Sequence, residues 1–558
     1  MVSEQRVARS AIAWMGILLA GLATCAAAVA DAKADEIVQG VLQVRWGDAP
    51  HAPHSRMEAH AQVEAWLDAG PGRRYRLDVE QARRAAGDLY ALSNRRVAVA
   101  YRPSSRVMVG AKASSPVAPE ISAIVPTDTL PSRTMAKSEA NGGGAMVPLS
   151  GSTRWITVMC KFADVAPEQK PRAFFQSQYG AAPGQLGHYW SEVSYGRIDL
   201  AGSTAHGWYT LPRPRAAYLS DAGGRTRADL SLLFADCAAQ ADAEVDFRGA
   251  QGVNLMFNAE LDGSAWGGGA CATLDGSYQC TRATWNPPWS FSNLAPLAHE
   301  MGHGYGLPHS DNSDGDGDTY DNPWDLMSDA WRMATSDVTY GLLPKHLNMY
   351  QRERLGWVAA ARKRTIPANN ADTHEIVLDA ASLQNAGGVQ LLMLALPAQA
   401  DPFATVLYTV EARRRTGKYE AALAGDAVII HRLEDYGIAR SIDRDTPVAS
   451  FSSNEGSMLK VGGRWNTPDE RHWIEVVAST DNGFVLRVGP RPRSMSAPTP
   501  ALERPAVTVA SAPAPAVVAV RTAPATRPAR GAVVPPMRRR ACEVLPRALR
   551  LPTLCALL

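Results

Sequence analysis

The tract His299-Glu300-Met301-Gly302-His303-Gly304-Tyr305-Gly306-Leu307-Pro308-His309 places three imidazoles and one carboxylate within a few turns of chain. Asn293 is placed to cap a helix that carries Leu294, Leu297, Ala298, Met301 and Tyr305 on one face at the 3.6-residue period. His299 and His303 then project from the opposite side, stacked one turn apart. Glu300 lies about 100° round the helix from His299, near enough to reach a coordinated water without being a ligand. Gly306 can take positive φ and end the helix, and Leu307-Pro308 stiffens the turn that returns His309. Three neutral imidazoles select zinc over hard cations such as calcium. Three protein ligands leave that ion an open position, where it lowers the pKa of a water to about 7 and Glu300 takes the proton. The predicted metal ligands are therefore His299, His303 and His309, and the predicted catalytic residue is Glu300.

A chance H-E-x-x-H arises on the order of once in a hundred chains of this length, because each fixed residue is a few per cent of composition. Gly306 and His309 at their offsets lower that by roughly a thousandfold. The tract resembles the long zinc motif of the metzincin metallopeptidases, H-E-x-x-H-x-x-G-x-x-H. Trp324-Asp325-Leu326-Met327-Ser328 resembles the tight turn that carries a methionine beneath the metal in that group. Over roughly residues 150 to 440 the chain is similar to the secreted immune inhibitor A-type peptidases. Tyr189-Trp-Ser-Glu-Val-Ser-Tyr-Gly196, Gly207-Trp-Tyr-Thr-Leu-Pro212, Leu355-Gly-Trp357, Tyr408-Thr-Val-Glu411 and Gly425-Asp-Ala-Val-Ile-Ile-His431 carry that similarity, in order. Many of those peptidases have Asp where His309 stands, and either residue is a metal ligand. The resemblance implies endopeptidase activity on proteins and peptides, whereas the spacing alone implies metal-assisted hydrolysis.

The elements that must position this tract read as a multidomain α+β chain. Its length of 558 residues suggests roughly three or four units. Residues 1–30 read as an export signal: Arg6 and Arg9, an apolar Ala11 to Val29, and Ala28-Val29-Ala30 before Asp31. Residues 36–110 read as a β-rich module and a candidate propeptide, with strands over Val41 to Trp46 and Arg95 to Tyr101. Residues 111–150 are rich in Ser, Ala, Pro and Gly and read as a flexible linker open to processing. Residues 151–360 form the expected metzincin-like α/β catalytic domain, opened by a strand at Trp155 to Cys160. A helix follows over Arg227 to Ala241, and a buried strand over Val253 to Phe257. Residues 366–490 switch to strands and read as a β-sandwich-like domain. Residues 491–558 hold eleven Arg and two acids among Pro and Ala, and read as a disordered tail.

Composition excludes other classes. A net charge of +2 gives no global field for nucleic acid, and no apolar run beyond the signal is long enough for stable membrane insertion. Of seven cysteines, Cys25 lies in the signal, which leaves an even six for an oxidising compartment. Cys271–Cys280 is the expected bridge across a short loop; Cys160 with Cys237 and Cys542 with Cys555 are the remaining pairs. The chain is thus expected outside the cell or in a periplasm. With no cysteine between the signal and the catalytic unit, latency through a propeptide thiol is not expected.

Secondary features need placing. Asp311 to Asp321 is dense in carboxylates and is a candidate calcium loop, though no register satisfies the EF-hand pattern. Tyr340 is a candidate oxyanion donor. Val253 to Phe257, before the glycines at 267 to 269, is either a core strand or an edge that pairs with extended substrate. His188, His206 and His346 are expected in packing or surface roles. The main expectation is a secreted zinc endopeptidase; the alternative is a retired peptidase scaffold acting as a secreted binding or adhesion protein.

Overall fold

The computed structural model describes residues 36–50, 61–102, 120–127, 146–221, 223–315, 318–367, 369–397, 405–433, 437–445 and 455–490. The export signal with Cys25, His51, His54, the Cys542 and Cys555 pair and the basic tail lie outside them. The chain is mixed α/β with several sheets.

The largest sheet has ten strands. Five come from the N-terminal region: β1 (Glu36–Asp48), β2 (Gln62–Asp68), β3 (Arg74–Leu77), β4 (Arg96–Tyr101) and β5 (Ile121–Pro126). Five follow residue 150: β6 (Trp155–Lys161), β7 (Thr204–Thr210), β8 (Gly252–Phe257), β9 (Ala265–Leu274) and β10 (Ser277–Asn286). The order is β3-β2-β1-β9-β10-β8-β6-β7, with β4 on β1 and β5 on β4. Strands β7, β6, β8 and β10 are parallel, whereas β9 runs antiparallel to β10 and to β1. Two differences from expectation follow. The N-terminal strands share a sheet with the strands of residues 155–286, and the expected linker contains β5.

Alternation along the parallel strands explains the layering. Trp155 and Met159 of β6 and Met256 of β8 enter one core, with Leu294, Leu297, Ala298 and Met301. Ile156, Val158 and Cys160 of β6, with Val253, Leu255 and Phe257 of β8, enter the core on the other face. Burial on both faces is why these strands read as continuous apolar runs. It also makes Val253 to Phe257 a central strand, hydrogen-bonded to β6 and β10. On the second face lies the helix Leu230–Ala241, α1, capped by the Asp229 carboxylate on the Leu232 amide. The Cys160–Cys237 disulfide ties it to the sheet, and Cys271–Cys280 joins β9 to β10. Both bridges match the expected pairs.

Helix α2, Leu294–Gly304, packs on the first face. All eleven of its residues are buried, so it is enclosed on every side instead of on one apolar stripe. Asn293 stands at its N-cap position, but its Oδ1 accepts from the Leu342 amide at 3.0 Å and makes no cap. A third helix, α3 (Met349–Arg354), precedes the C-terminal strands, capped by Asn348 on the Gln351 amide.

Two further sheets pack together. One holds β11 (Lys363–Ile366), β13 (Leu391–Pro397), β14 (Thr405–Arg413), β15 (Ala427–Leu433) and β16 (Ala439–Ser441). The other holds β12 (His374–Asp379), β17 (Arg464–Asn466), β18 (His472–Ser479) and β19 (Gly483–Pro490). Ile376, Leu394, Val410, Ile474 and Leu486 from both meet in one core, the sandwich arrangement expected of residues 366–490.

This sandwich grips the turn beneath α2. Arg413 of β14 is fully buried and donates to the Trp324 carbonyl, to Glu411 at 3.0 Å and to Glu420. The Trp324 indole donates to Ser457 Oγ at 2.9 Å. Replacing Arg413 with Met should leave two buried carboxylates without their cation, at a cost of about 3–5 kcal/mol. Thermal unfolding followed by circular dichroism should show a clearly lowered Tm; an unchanged Tm would show that the network contributes little.

Candidate metal centre

Helix α2 supplies His299, Glu300 and His303, and the turn that follows supplies His309. The helix ends as its glycine predicts: Gly306 has φ +89°, its amide bonds to the His303 carbonyl at 2.9 Å, and the Leu307 amide bonds to Gly302 at 3.1 Å. Chain reversal here brings His309 back onto the helix. The three Nε2 atoms lie 3.0 Å (His299–His303), 3.2 Å (His303–His309) and 3.2 Å (His299–His309) apart. The expected trio is therefore brought together.

The other ring nitrogens are committed. His299 Nδ1 faces the Leu326 carbonyl at 2.7 Å, and His303 Nδ1 faces the Leu307 carbonyl at 2.7 Å. A carbonyl only accepts, so both Nδ1 atoms carry a proton, and in the neutral rings Nε2 is the nitrogen left to bind a metal ion. Burial, with the neighbouring imidazoles, lowers His303 to about 3 and keeps its ring neutral. Lone pairs converging without a proton repel one another, and a cation at their centre relieves this. Ligand atoms about 2.0–2.1 Å from a tetrahedral ion stand roughly 3.3 Å apart, which suits the spacing seen.

A fourth group, absent from the sequence expectations, completes the cluster. Asp48 at the end of β1 places Oδ1 2.8 Å from His309 Nε2, and Oδ2 3.3 Å from His303 Nε2 and 3.5 Å from His299 Nε2. Asp48, His299, His303 and His309 are all buried and form a group able to hold a metal ion. Burial alone would raise the Asp48 carboxyl; the imidazoles outweigh it and hold the group well below its ordinary range. Its Oδ2 is buried with no hydrogen-bond partner, and so is Glu300 Oε2. Buried carboxylate oxygens without donors point to a cation or water as the missing partner.

Tyr320 is the second residue the sequence did not reveal. Its hydroxyl donates to Asp48 Oδ1 at 2.6 Å, and its ring lies 5.5 Å from that of His309. Burial and the Asp48 charge push its phenol well above the ordinary value, so it remains a donor. Tyr340, weighed as an oxyanion donor against a packed residue, is packed, with its hydroxyl on Ser177 Oγ and Gln185 Nε2 at 3.0 Å each. No local pattern marks Asp48 or Tyr320; only the fold brings them in.

Met327 lies in a turn packed against α2. Leu326 provides the carbonyl that orients His299, and Met327 is fully buried. A Cβ on Gly302 would come within 2.4 Å of Met327 Sδ, so glycine lets the turn lie directly against the helix. Asp325 secures it, accepting from Ser310 Oγ at 2.8 Å and Asn348 Nδ2 at 2.6 Å. Burial and the Asp48 charge push Glu300 well above the ordinary carboxylate value, a direction that suits proton transfer near neutrality.

Other expected sites read differently. Asp311 pairs with Arg440, and Asp321 accepts from the Asn312 amide at 2.7 Å. Burial and the charges of Asp318, Asp311 and Asp314 outweigh that bond and raise Asp321 to about 8. Residues 316 and 317 lie outside the described residues, and among those described this loop offers no metal-sized cluster. His346 is buried against Glu192 at 2.9 Å, His188 contacts the Tyr419 hydroxyl at 3.0 Å and His206 contacts Thr204 Oγ1 at 2.9 Å. No described helix is long and apolar enough to cross a membrane.

Wild-type protein should carry about one transition-metal ion per chain by elemental analysis, and His303→Ala close to none. A chelator should lower the wild-type Tm and leave that of the variant unmoved; a wild-type Tm indifferent to chelation would remove the metal from the account. No protein-family model and no curated protein matches the chain.

Proposed function

We propose that the chain is an exported, zinc-dependent endopeptidase with a metzincin-type catalytic region resembling that of the immune inhibitor A peptidases. One observation carries the reading: three imidazole Nε2 atoms converge within 3.0–3.2 Å of one another in a buried pocket beside Glu300, whose Oε2 has no hydrogen-bond partner. His299, His303 and His309 are the residues to hold the ion. Zinc bound there would supply Lewis-acid polarisation of the scissile carbonyl and a lowered pKa for the attacking water. The metal's identity rests on the nitrogen donors.

The remaining chemistry belongs to side chains. Glu300 removes a proton from the water as its oxygen bonds to the carbonyl carbon. It then returns that proton to the amide nitrogen as the C–N bond breaks, so the products are a carboxylic acid and an amine, which at neutral pH exchange a proton to become a carboxylate and an ammonium. Tyr320 is positioned to donate to the oxyanion that develops, because its hydroxyl already points at an oxygen beside the imidazoles. The two disulfides and the absence of a described membrane helix agree with action outside the cell or in a periplasm.

A second reading has its own support. Asp48 raises the donor set to four, and closed four-ligand sites are characteristic of structural zinc. In that case the chain is a retired scaffold that binds partners. Glu300 separates the two, since a structural site has no use for a buried acid with a free oxygen.

Casein hydrolysis by Glu300→Gln should fall by about 10²–10⁴ relative to wild type, both before and after limited trypsin treatment, with metal content unchanged. Tyr320→Phe, treated in the same way, should lose kcat by about 10²–10³ with KM nearly constant. Full activity in the Glu300 variant would refute the general-base role.

A further inference from the structure

The tracts Tyr408 to Glu411 and Gly425 to His431 supply no metal ligand, yet they meet side by side in the sandwich as β14 and β15. Thr409 stands opposite His431, and His431 stands opposite Ser441 of β16. The three side chains therefore form a row on one face of the sheet. Tyr408, Val410 and Ala412 alternate with Thr409 into the sandwich core, so the row faces the other way. Ile429, on the same side of β15, shares a core with Trp324. Both segments that fix the imidazoles lie against this face. The Ser441 amide donates to the Asp311 carbonyl at 2.9 Å, just past His309. Asp325, beside the Leu326 carbonyl that orients His299, lies near enough to His431 for their charges to act on one another. Ser310 Oγ donates to Asp325 Oδ2 at 2.8 Å and ties the two segments together.

The row is buried and its polar atoms are unsatisfied. Thr409 is 1% exposed, and His431 and Ser441 are 0% exposed. Thr409 Oγ1, Ser441 Oγ and both ring nitrogens of His431 have no hydrogen-bond partner. Bare polar atoms in an interior cost free energy, and native proteins avoid this by pairing them or by enclosing water. Glu411 and Arg413 on the same face do not serve, because they are engaged with each other, with Glu420, with the Trp324 carbonyl and with the Met349 amide. Opposed Cβ atoms stand about 4.5–5.5 Å apart, so one water can bond two neighbours of the row. Burial, with the Arg413 charge, outweighs Glu411 and Asp325 and lowers His431 below its ordinary value, so its ring stays neutral. A neutral ring offers one donor and one acceptor, and each hydroxyl offers both, which are the partners a bridging water needs.

We propose that Thr409, His431 and Ser441 line an internal hydration site, whose water bonds the sandwich to the Asp325–Ser310 pair and makes His431 a positioning residue for the metal pocket. The site takes water and no ion: among the described residues the row belongs to no cluster of metal-ligating atoms, and its own groups carry no charge. Loss of that water would loosen Asp325 on the side that faces the sheet. The Leu326 carbonyl, one residue on, would then lose its fixed aim at His299 Nδ1. The positioning role rests on the metal reading of His299, His303 and His309 and needs no peptidase activity.

The test uses the full-length chain. A crystal structure of the wild type should show an ordered water bonded to His431 and to Thr409 or Ser441. Thr409→Val and Ser441→Ala each remove a hydroxyl with little change of shape, and each should lower Tm by about 2 °C or more because a hydrated partner is lost. A row without water, or a Tm unchanged or raised in both variants, would overturn the hydration site, since removing a bare buried hydroxyl costs nothing. In protein loaded with cobalt(II), His431→Leu should shift the visible spectrum and weaken cobalt binding about tenfold. His431→Gln keeps a donor and an acceptor and should restore most of the affinity. A folded His431→Leu chain with unchanged spectrum and affinity would overturn the positioning role. If the leucine variant misfolds, the double Thr409→Val, Ser441→Ala chain gives the same readouts. Wild type that takes up no cobalt would remove the metal reading and the positioning role with it, while the crystal structure and Tm would still decide the hydration site.

Discussion

Two backbone carbonyls set the chemistry of this protein. Leu326 and Leu307 each hold the proton of one imidazole on Nδ1, which leaves the opposite nitrogen bare and aimed at a shared point. Without those contacts the tautomers would be free, and the rings could hydrogen-bond one another. With them, the cluster is frustrated until a cation or an acid enters. The rest of the molecule is arranged to hold those carbonyls still. Leu307 follows the reversal at Gly306, and Leu326 sits in a turn braced by Asp325 from within and by Arg413 and Ser457 from the C-terminal sheets.

That bracing gives the β-sandwich a role in the site although it supplies no ligand. Glu411 accepts from the Met349 amide at the start of α3, and Gln351 of the same helix donates to the Pro308 carbonyl at 3.0 Å. The ligand His309 is thus fixed on its N-terminal side by a helix that the sandwich anchors. Buried ion networks cost desolvation and are retained where they fix a geometry. Here the geometry they fix is the floor of the metal pocket.

What the sequence disclosed and what it withheld divide along contact range. The helix-and-turn ligands, the Cys271–Cys280 bridge and most strands of residues 366–490 follow from periodicity, glycine placement and spacing, all of which act within a few residues; the methionine turn was read from the family resemblance, and Cys160–Cys237 by elimination. Asp48 and Tyr320 were invisible because they depend on which strand joins which sheet. Nothing in Val41 to Trp46 announces that β1 will pair with β9 as well as with β2. Val253 to Phe257 left core and edge open for the same reason: alternation shows that a strand is buried on both faces, not where it stands in the sheet order. Asn293 was misassigned because it stands at a position where its type commonly caps, while the Leu342 amide claims its side chain.

Strand order carries one more consequence. With β1 present, β9 is an interior strand, and its amides and carbonyls are paired along the length that faces Trp46 to Asp48. A form lacking β1 would expose that row as a raw edge, open to zipping up with another copy of the chain. Three consecutive glycines at 267 to 269 give the exposed stretch little apolar surface, and the adjacent Cys271–Cys280 bridge stiffens the hairpin. The strand would thereby resist permanent self-association even where its hydrogen-bonding edge is bare.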